Sequence, residues 1–190
     1  GSRTMDALRT TPESSDIFRL LAQADPKPNA LSMEVSSHSL ALERIGGLEF
    51  DIAIWTNLTQ DHLDFHGSME DYYQSKKKLF DGYVSESAVL VINIDDAWGR
   101  RLASELGRPV TTYGLAPDAD FRIVEKACTW DGTRIEISYQ SERYVFEAPL
   151  PGEFNIWNIG AACAAGLVHG LSYDFIAQSL KTMKPVGGRM

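Results

Sequence analysis

Polar side chains that could bind a divalent cation follow two predicted strands of the sequence. Glu34 lies at the end of a strand predicted over residues 30–35, while Asp61 and His62 follow a strand predicted over residues 51–56. Ligands of open α/β sheets bind beyond the carboxyl ends of strands, and a carboxylate with an imidazole can hold a metal ion. The same side chains also serve as turn and capping residues, so their spacing leaves both interpretations open.

A lysine interrupts the apolar side of a helix predicted over residues 69–80. Lys76 falls within the apolar stripe, whereas Lys77 and Lys78 are expected to point into solvent. The stripe consists of Met69, Tyr72, Tyr73, Leu79 and Phe80. Burial lowers the pKa of a lysine and makes its neutral amine available for chemistry. The commoner arrangement is that the stem packs while the ammonium group reaches solvent.

Hydroxyl groups precede two predicted helices. Thr10 and Thr11 come before a helix that we expect to begin at Pro12, with Thr11 as its cap. Ser36 or Ser37 opens a second, short helix. Backbone N–H groups at a helix start can bind an anion, although ordinary capping is the more frequent role of such residues.

The remaining polar candidates carry weaker signals. Arg44 could bind a carboxylate or phosphate through two hydrogen bonds, and Asn155 and Asn158 lie at the start of a predicted helix, where asparagine is usually a cap. His66 and His169 have no evident partner in the sequence.

Helices and strands alternate over the first part of the chain, which predicts a doubly wound, mainly parallel α/β sheet. Three strands without intervening helices then predict a small antiparallel subsheet over residues 121–148 at the edge of the sheet. We expect one domain over residues 3–190 that contains this subsheet. The predicted helices cover residues 12–23, 37–45, 69–80, 98–106, 154–169 and 173–183; the strands cover 30–35, 51–56, 88–92, 121–128, 133–140 and 143–148.

Composition excludes several functions. The net charge of −8 argues against nonspecific nucleic-acid binding, which needs a basic surface. No apolar run approaches the length of a membrane span. The two cysteines do not form a disulfide framework, so we expect a reduced, cytoplasmic setting.

Four stretches of the chain resemble the Mur ligase family. The stretch over residues 34–38, Glu-Val-Ser-Ser-His, is typical of the branch that adds the third residue to the muramyl peptide. The other patterns are shared with a wider superfamily that includes folylpolyglutamate synthetases. The similar stretches are residues 10–14, residues 33–40 with Arg44, residues 56–67 with Lys76, and residues 152–158 with residues 185–190.

The resemblance implies an ATP-dependent amide ligase. ATP would phosphorylate the D-glutamate carboxylate of UDP-MurNAc-L-Ala-D-Glu, and the amine of an incoming amino acid would attack the acyl phosphate to give an amide, ADP and phosphate. The amino acid is meso-diaminopimelate or L-lysine, and the sequence leaves both open. Charge on the phosphates would be neutralised by Mg²⁺.

The resemblance also assigns roles to the metal candidates. Glu34 matches a position that binds one magnesium ion, and His62 matches a position that binds a second. Lys76 matches a lysine that is carbamylated by carbon dioxide, which turns it into an anion that helps hold the metal. Asn57 is expected to support this site.

Substrate and nucleotide contacts follow from the resemblance in the same way. Matching positions in the family hold the UDP-muramyl peptide or lie near the adenine. The substrate residues would be Thr10, Thr11, Ser36 and Arg44, and the nucleotide residues Asn155 and Asn158.

The chain departs from the family because it contains no G-x-x-x-x-G-K-[ST] phosphate-binding loop. We also find no counterpart of the uridine-binding N-terminal domain or of the C-terminal domain that receives the amino acid. We therefore expect the chain alone to be inactive and to self-associate through an unpaired sheet edge. The alternatives are a folylpolyglutamate synthetase-like ligase and a non-catalytic binding homologue.

Overall fold

The computed structural model describes residues 11–23 and 30–183, which form seven helices and six strands. The helices are α1 (Ser14–Gln23), α2 (Ser37–Ala41), α3 (Leu63–His66), α4 (Met69–Gly82), α5 (Ala97–Glu105), α6 (Phe154–Val168) and α7 (Tyr173–Lys181). The strands are β1 (Phe50–Trp55), β2 (Val84–Asn93), β3 (Thr111–Gly114), β4 (Phe121–Thr129), β5 (Gly132–Tyr139) and β6 (Glu142–Ala148).

All six strands belong to one sheet, in the order β1-β2-β3-β4-β5-β6. β2 pairs with β3 and β3 with β4 in parallel, whereas β4–β5 and β5–β6 are antiparallel hairpins. The α/β class and the antiparallel part at the edge are therefore confirmed. The second hairpin turns at Gln140 and Ser141, whose positive φ values of 49° and 68° suit a two-residue type I′ turn.

Two compact units divide the described residues. The first unit consists of the residues up to 50 and of residues 60–85, and it contains α1 to α4. The second unit consists of residues 51–59 and of those from 86 onward. The second unit has an apolar core of sheet residues packed against α6 and α7. Its members include Tyr113, Phe121, Ile135, Ile137, Phe146, Ile156 and Cys163, all 1% exposed or less. None of the described helices is long and apolar enough to cross a membrane.

The start of the chain differs from its prediction. Residues 30–36 form no strand, and α1 begins at Ser14 rather than at Pro12. The reason is that Thr11 does not cap α1 but bonds to the backbone of Glu34 and Ser36, so these groups are satisfied without a neighbouring strand. The short strand β3 was also missed, because four residues carry too weak a pattern.

Helix α4 follows its prediction closely. Ser68 caps it, accepting a hydrogen bond from the Asp71 N–H at 3.1 Å. Tyr72, Tyr73 and Phe80 on the apolar stripe are buried, and Lys76 beside them is half-buried.

The prediction for the two lysines that follow is correct only in part. Lys78 is exposed, as expected. Lys77 is not fully solvated: its side chain is 18% exposed, and its Nζ lies 4.0 Å from Asp81 Oδ2. The spacing i to i+4 on the helix surface explains this pair.

Candidate metal and substrate site

Thr11 joins two segments that the sequence places far apart. Its side chain is buried, and its Oγ1 donates to the Glu34 carbonyl at 3.0 Å and accepts from the Ser36 N–H at 3.0 Å. Ser36 Oγ lies 3.3 Å from the same hydroxyl. The predicted substrate residues Thr11 and Ser36 are thus brought together, next to the backbone of the predicted metal ligand Glu34.

Ser36 also fixes the short helix α2. Its Oγ accepts from the Ser39 N–H at 3.2 Å, while Ser39 Oγ donates to the Ser36 carbonyl at 2.6 Å. This reciprocal pair confirms the predicted cap. The Glu34 side chain, two residues earlier, is exposed and therefore accessible to a ligand.

Arg44 is held by an acidic residue that the sequence did not indicate as its partner. Its Nε lies 3.3 Å from Glu13 Oε1, and its side chain is 16% exposed. The Arg44 N–H also donates to the Ser39 carbonyl at 2.8 Å. Glu13 thus orients the guanidinium, while the bond to Ser39 fixes the Arg44 backbone near the end of α2.

His62 has an unusual backbone. It is left-handed, with φ 54° and ψ 26°, and its side chain makes no capping hydrogen bond to α3. A non-glycine residue in this conformation costs about 1–2 kcal/mol. The Asp61 carboxylate accepts from the His62 N–H at 2.8 Å and lies 3.5 Å from its Nε2. The imidazole is 46% exposed, so the strained backbone presents it to solvent.

The Tyr72 ring connects His62 with Lys76. The ring centroids of His62 and Tyr72 are 6.0 Å apart, and Lys76 Nζ lies 5.5 Å from the Tyr72 centroid. A lysine over an aromatic face is attracted by the electron density of the ring. Burial raises the pKa of Tyr72, and the Asp61 charge adds to this, whereas a hydrogen bond with Ser37 opposes it. His62 and Lys76, two of the predicted metal ligands, therefore lie beside the same tyrosine ring.

His66 is a part of this site that sequence analysis missed. Its Nε2 lies 2.9 Å from Ser37 Oγ and its Nδ1 lies 3.4 Å from Ser75 Oγ, which contradicts the expectation that His66 lacks a partner. Burial is the main cause that lowers the pKa of His66. Electrostatic interactions with His38, His62 and Lys76 lower this pKa further, whereas the interaction with Asp71 raises it. Its spacing of four residues from His62 was visible, but Ser37 lies 29 residues away.

A third histidine completes the aromatic cluster. The His38 ring lies 4.9 Å from the His62 ring, 4.1 Å from the Phe65 ring and 5.5 Å from the His66 ring, centroid to centroid. Phe65 is 43% exposed. The cluster therefore combines imidazole and phenyl surfaces that solvent can reach.

The described residues contain no preformed cage of metal ligands. Across residues 11–23 and 30–183, no group of three or more His, Cys, Asp and Glu side chains is arranged to hold a metal ion. Magnesium does not need such a cage, because it keeps several waters and binds through one or two carboxylates with substrate phosphates. Of the two predicted ligands, the exposed Glu34 carboxylate is of the type that magnesium prefers, whereas the His62 imidazole is more typical of transition-metal sites.

The predicted nucleotide residues begin α6 and bond to one another. Asn155 is 9% exposed and donates from Nδ2 to the Pro151 carbonyl at 2.8 Å. Asn158 Nδ2 donates to Asn155 Oδ1 at 3.2 Å, and the rest of Asn158 is exposed. Neither side chain caps α6. Asn57 lies two residues after the end of β1 and is exposed.

An indole and a carboxylate fix the same end of α6. Trp157 Nε1 donates to Asp95 Oδ2 at 2.8 Å, and the Asp95 carboxylate also accepts from the Leu115 and Ala116 N–H groups at 2.7 and 2.9 Å. Sequence analysis assigned Asp95 no role. Thr10, the remaining predicted substrate residue, lies outside the described residues.

This arrangement of sheet, short helices and clustered polar groups is that of an α/β ligase domain. A solved diaminopimelate-adding ligase, "UDP-N-acetylmuramoyl-L-alanyl-D-glutamate--2,6-diaminopimelate ligase", matches the fold with a TM-score of 0.82 and 30% sequence identity, over 95% of this chain and 38% of that chain. The protein belongs to the Mur ligase family, since residues 2–166 match the Mur ligase middle domain.

Curated relatives support the same family. The UDP-N-acetylmuramoyl-L-alanyl-D-glutamate–2,6-diaminopimelate ligase of Solibacter usitatus is 40% identical over 189 residues, which are 98% of this chain and 38% of the relative. The corresponding L-lysine ligase of Staphylococcus haemolyticus is 40% identical over 185 residues, 95% of this chain and 37% of the relative. The chain thus spans less than two-fifths of these relatives.

Proposed function

We propose that this chain is the middle, ATP-binding part of a cytoplasmic ligase that adds the third amino acid to UDP-MurNAc-L-Ala-D-Glu. ATP transfers its terminal phosphoryl group to the D-glutamate carboxylate and leaves as ADP. The amine of meso-diaminopimelate or L-lysine then attacks the acyl phosphate, so that an amide forms and phosphate departs. The product is a precursor of cell-wall peptidoglycan, on which cell shape and division depend.

The observation that carries the proposal is the convergence of candidate residues from four segments within one compact unit. Thr11 bonds to the backbone of Glu34 and Ser36, and His62 and Lys76 both lie beside the Tyr72 ring. The family resemblance assigns metal or substrate roles to these candidate residues.

The metal role falls to Glu34, His62 and Lys76. Bound Mg²⁺ would supply charge neutralisation at the phosphates. The exposed Glu34 carboxylate would be a ligand of one magnesium ion and the His62 imidazole a ligand of a second. Lys76 is half-buried beside Tyr72, and the family resemblance assigns it carbamylation by carbon dioxide. A carbamylated Lys76 would add a negative charge beside the metal.

Substrate and nucleotide contacts complete the proposal. Thr11, Ser36 and Arg44 would hold the muramyl dipeptide, with the Arg44 guanidinium already oriented by Glu13. Asn155 and Asn158 would contact the adenine from the start of α6. Asn57 would support the metal ligands.

The third amino acid remains either meso-diaminopimelate or L-lysine, because relatives named for each are 40% identical to this chain. A folylpolyglutamate synthetase-like activity is the weaker candidate. The sequence stretches over residues 36–38 and 10–12 resemble the third-residue ligases, and both relatives described above are named as ligases of UDP-N-acetylmuramoyl-L-alanyl-D-glutamate.

The test is an ADP-release assay on the full-length ligase that contains this chain. We expect release that depends on UDP-MurNAc-L-Ala-D-Glu, Mg²⁺ and one of the two amino acids, with an amide-linked tripeptide as the product. Supplying a folate with glutamate should give no turnover. ADP release with the folate, and none with the muramyl dipeptide, would overturn the proposal. The 190-residue chain alone is expected to give none.

A further inference from the structure

One imidazole connects three separate segments of the first compact unit. His66 ends α3, Ser37 begins α2, and Ser75 lies in the middle of α4. The His66 Nε2 to Ser37 Oγ distance is 2.9 Å, and the His66 Nδ1 to Ser75 Oγ distance is 3.4 Å. Both ring nitrogens therefore have a hydroxyl partner, and each serine belongs to a different helix.

Each segment carries a residue of the proposed metal and substrate site. Ser37 directly follows Ser36, Ser75 directly precedes Lys76, and His66 lies four residues after His62. A shift of any one segment would therefore move a proposed ligand or substrate contact relative to the others. His66 is the point at which the three segments are joined by side-chain hydrogen bonds.

Stacking holds the ring in place. The His66 ring lies on Tyr72 with centroids 4.9 Å apart and planes 15° from parallel. Tyr72 is buried, and its hydroxyl interacts with Ser37, the same serine that faces His66. Ser37 is itself 2% exposed. The side chains of His66, Tyr72 and Ser37 thus contact one another, and each limits the movement of the other two.

The environment favours the neutral ring. Burial is the main cause of the lowered pKa of His66, and neighbouring positive groups add to it. A neutral imidazole has one N–H donor and one acceptor nitrogen, and a serine hydroxyl can serve either. Because both nitrogens face serines, the lone pair of the acceptor nitrogen is directed at a serine hydroxyl.

We propose that His66 is a positioning residue of the ligase, which sets His62 and Lys76 in register with the Ser36 segment through its hydrogen bonds to Ser37 and Ser75. This inference rests on the proposed function, because it assigns His66 to the same site. It differs from a ligand role, since His66 acts through the residues that bind the metal. Partners of this kind typically change metal affinity or activity 10–100-fold when they are removed.

The test uses three variants of the full-length ligase. In His66→Phe the ring can still stack on Tyr72, but both hydrogen bonds are lost. The amide of His66→Gln reaches about as far as Nε2 and can bond to Ser37, whereas that of His66→Asn reaches only as far as Nδ1. The matched control is His169→Phe, which changes an exposed histidine at the end of α6.

Two readouts separate positioning from folding. Binding of Mn²⁺, followed by electron paramagnetic resonance without turnover, should weaken about 10-fold in His66→Phe, and kcat should fall about 10–100-fold. His66→Gln should recover most of both losses, and His66→Asn should recover little. Ser37→Ala should reproduce the loss, and combining it with His66→Phe should add nothing further.

Three results would overturn the inference. One is that His66→Phe binds Mn²⁺ and turns over like His169→Phe. Another is that His66→Gln is as impaired as His66→Phe, because the Ser37 hydrogen bond would then be irrelevant. The third is that losses from Ser37→Ala and His66→Phe simply add. Failure of the proposed function gives a different result, since the wild-type ligase would then show no ADP release that depends on the muramyl dipeptide.

Discussion

The two compact units of this protein are built in different ways. In the second unit, the sheet and two helices bury a continuous apolar core. In the first unit, short helices and irregular segments are joined by hydroxyl, imidazole and aromatic contacts such as Thr11 with Ser36 and His66 with Ser37. The hydrophobic effect is non-directional, whereas hydrogen bonds depend on distance and angle. The first unit is therefore suited to place reacting groups, and the second to supply stability.

The left-handed residues of the two units illustrate the same contrast. Gln140 and Ser141 have positive φ because a tight hairpin requires it. His62 also has positive φ, but it lies before a four-residue helix rather than in a hairpin. Such a conformation is maintained where the surrounding structure enforces it, which is common at functional sites.

The largest expected effect comes from removing a core ring of the second unit. Phe146→Ala should lower the free energy of unfolding by about 3–5 kcal/mol, because it leaves a cavity among fully buried side chains. Phe65→Ala in the aromatic cluster of the first unit should cost far less, since Phe65 is 43% exposed. Urea unfolding of both variants measures the difference. An equal loss of unfolding free energy in the two variants would contradict the proposed difference between the units.

Changing the half-buried lysine should affect chemistry more than stability. Lys76→Ala should lower kcat by about 100-fold or more, the range seen when one electrostatic group of an active site is deleted. Lys78→Ala on the exposed side of the same helix is the control, and it should leave kcat unchanged. Full activity in Lys76→Ala would show that the first unit does not place this residue at the reacting groups.

The buried hydroxyl of Thr11 should have an intermediate effect. Thr11→Val keeps the shape of the side chain but leaves the Ser36 N–H without its partner, at a cost of about 1–3 kcal/mol. Thr11→Ser should restore the hydrogen bonds. If the Ser36 segment binds substrate, KM for the muramyl dipeptide should rise in Thr11→Val and recover in Thr11→Ser. A stability loss in Thr11→Ser equal to that in Thr11→Val would show that the methyl group, not the hydroxyl, matters.

The smallest effect is expected at an exposed ion pair of the second unit. Hydrogen bonding from Arg100 is the main reason that the pKa of Asp118 is lowered. A lowered folded-state pKa gives stability that is present above the ordinary pKa of an aspartate and is lost as pH falls through the folded value. Because both groups are exposed, the contribution should be slight. Carboxyl NMR titration should show the Asp118 midpoint rising towards its ordinary value in Arg100→Gln, and an unchanged midpoint would contradict this assignment.

The sequence predicted those parts of the fold in which the signal is local. The helix predicted over residues 69–80 with its apolar stripe and the antiparallel strands predicted after residue 121 follow from neighbouring residues, and the structure confirms them. The strand expected over residues 30–35 is not formed, and the Glu34 carbonyl near its end is bonded by a distant hydroxyl, that of Thr11. No spacing rule reveals such a contact.

The same limit applies to the site. Glu34, His62 and Lys76 were selected by residue type, by position after predicted strands and by family resemblance. His66 was passed over, because its partners Ser37 and Ser75 become neighbours only after the three segments have folded together. Residues that contact ligands leave a pattern in the sequence, whereas residues that position them depend on tertiary contacts.

The most direct test of a shared metal site is a crystal structure of the full-length ligase with Mn²⁺, a non-hydrolysable ATP analogue and the muramyl dipeptide. We expect anomalous peaks within coordination distance of the Glu34 carboxylate and the His62 imidazole, with a carbamylated Lys76 beside them. Metal peaks remote from all three residues, with Glu34 and His62 facing separate solvent regions, would contradict the account.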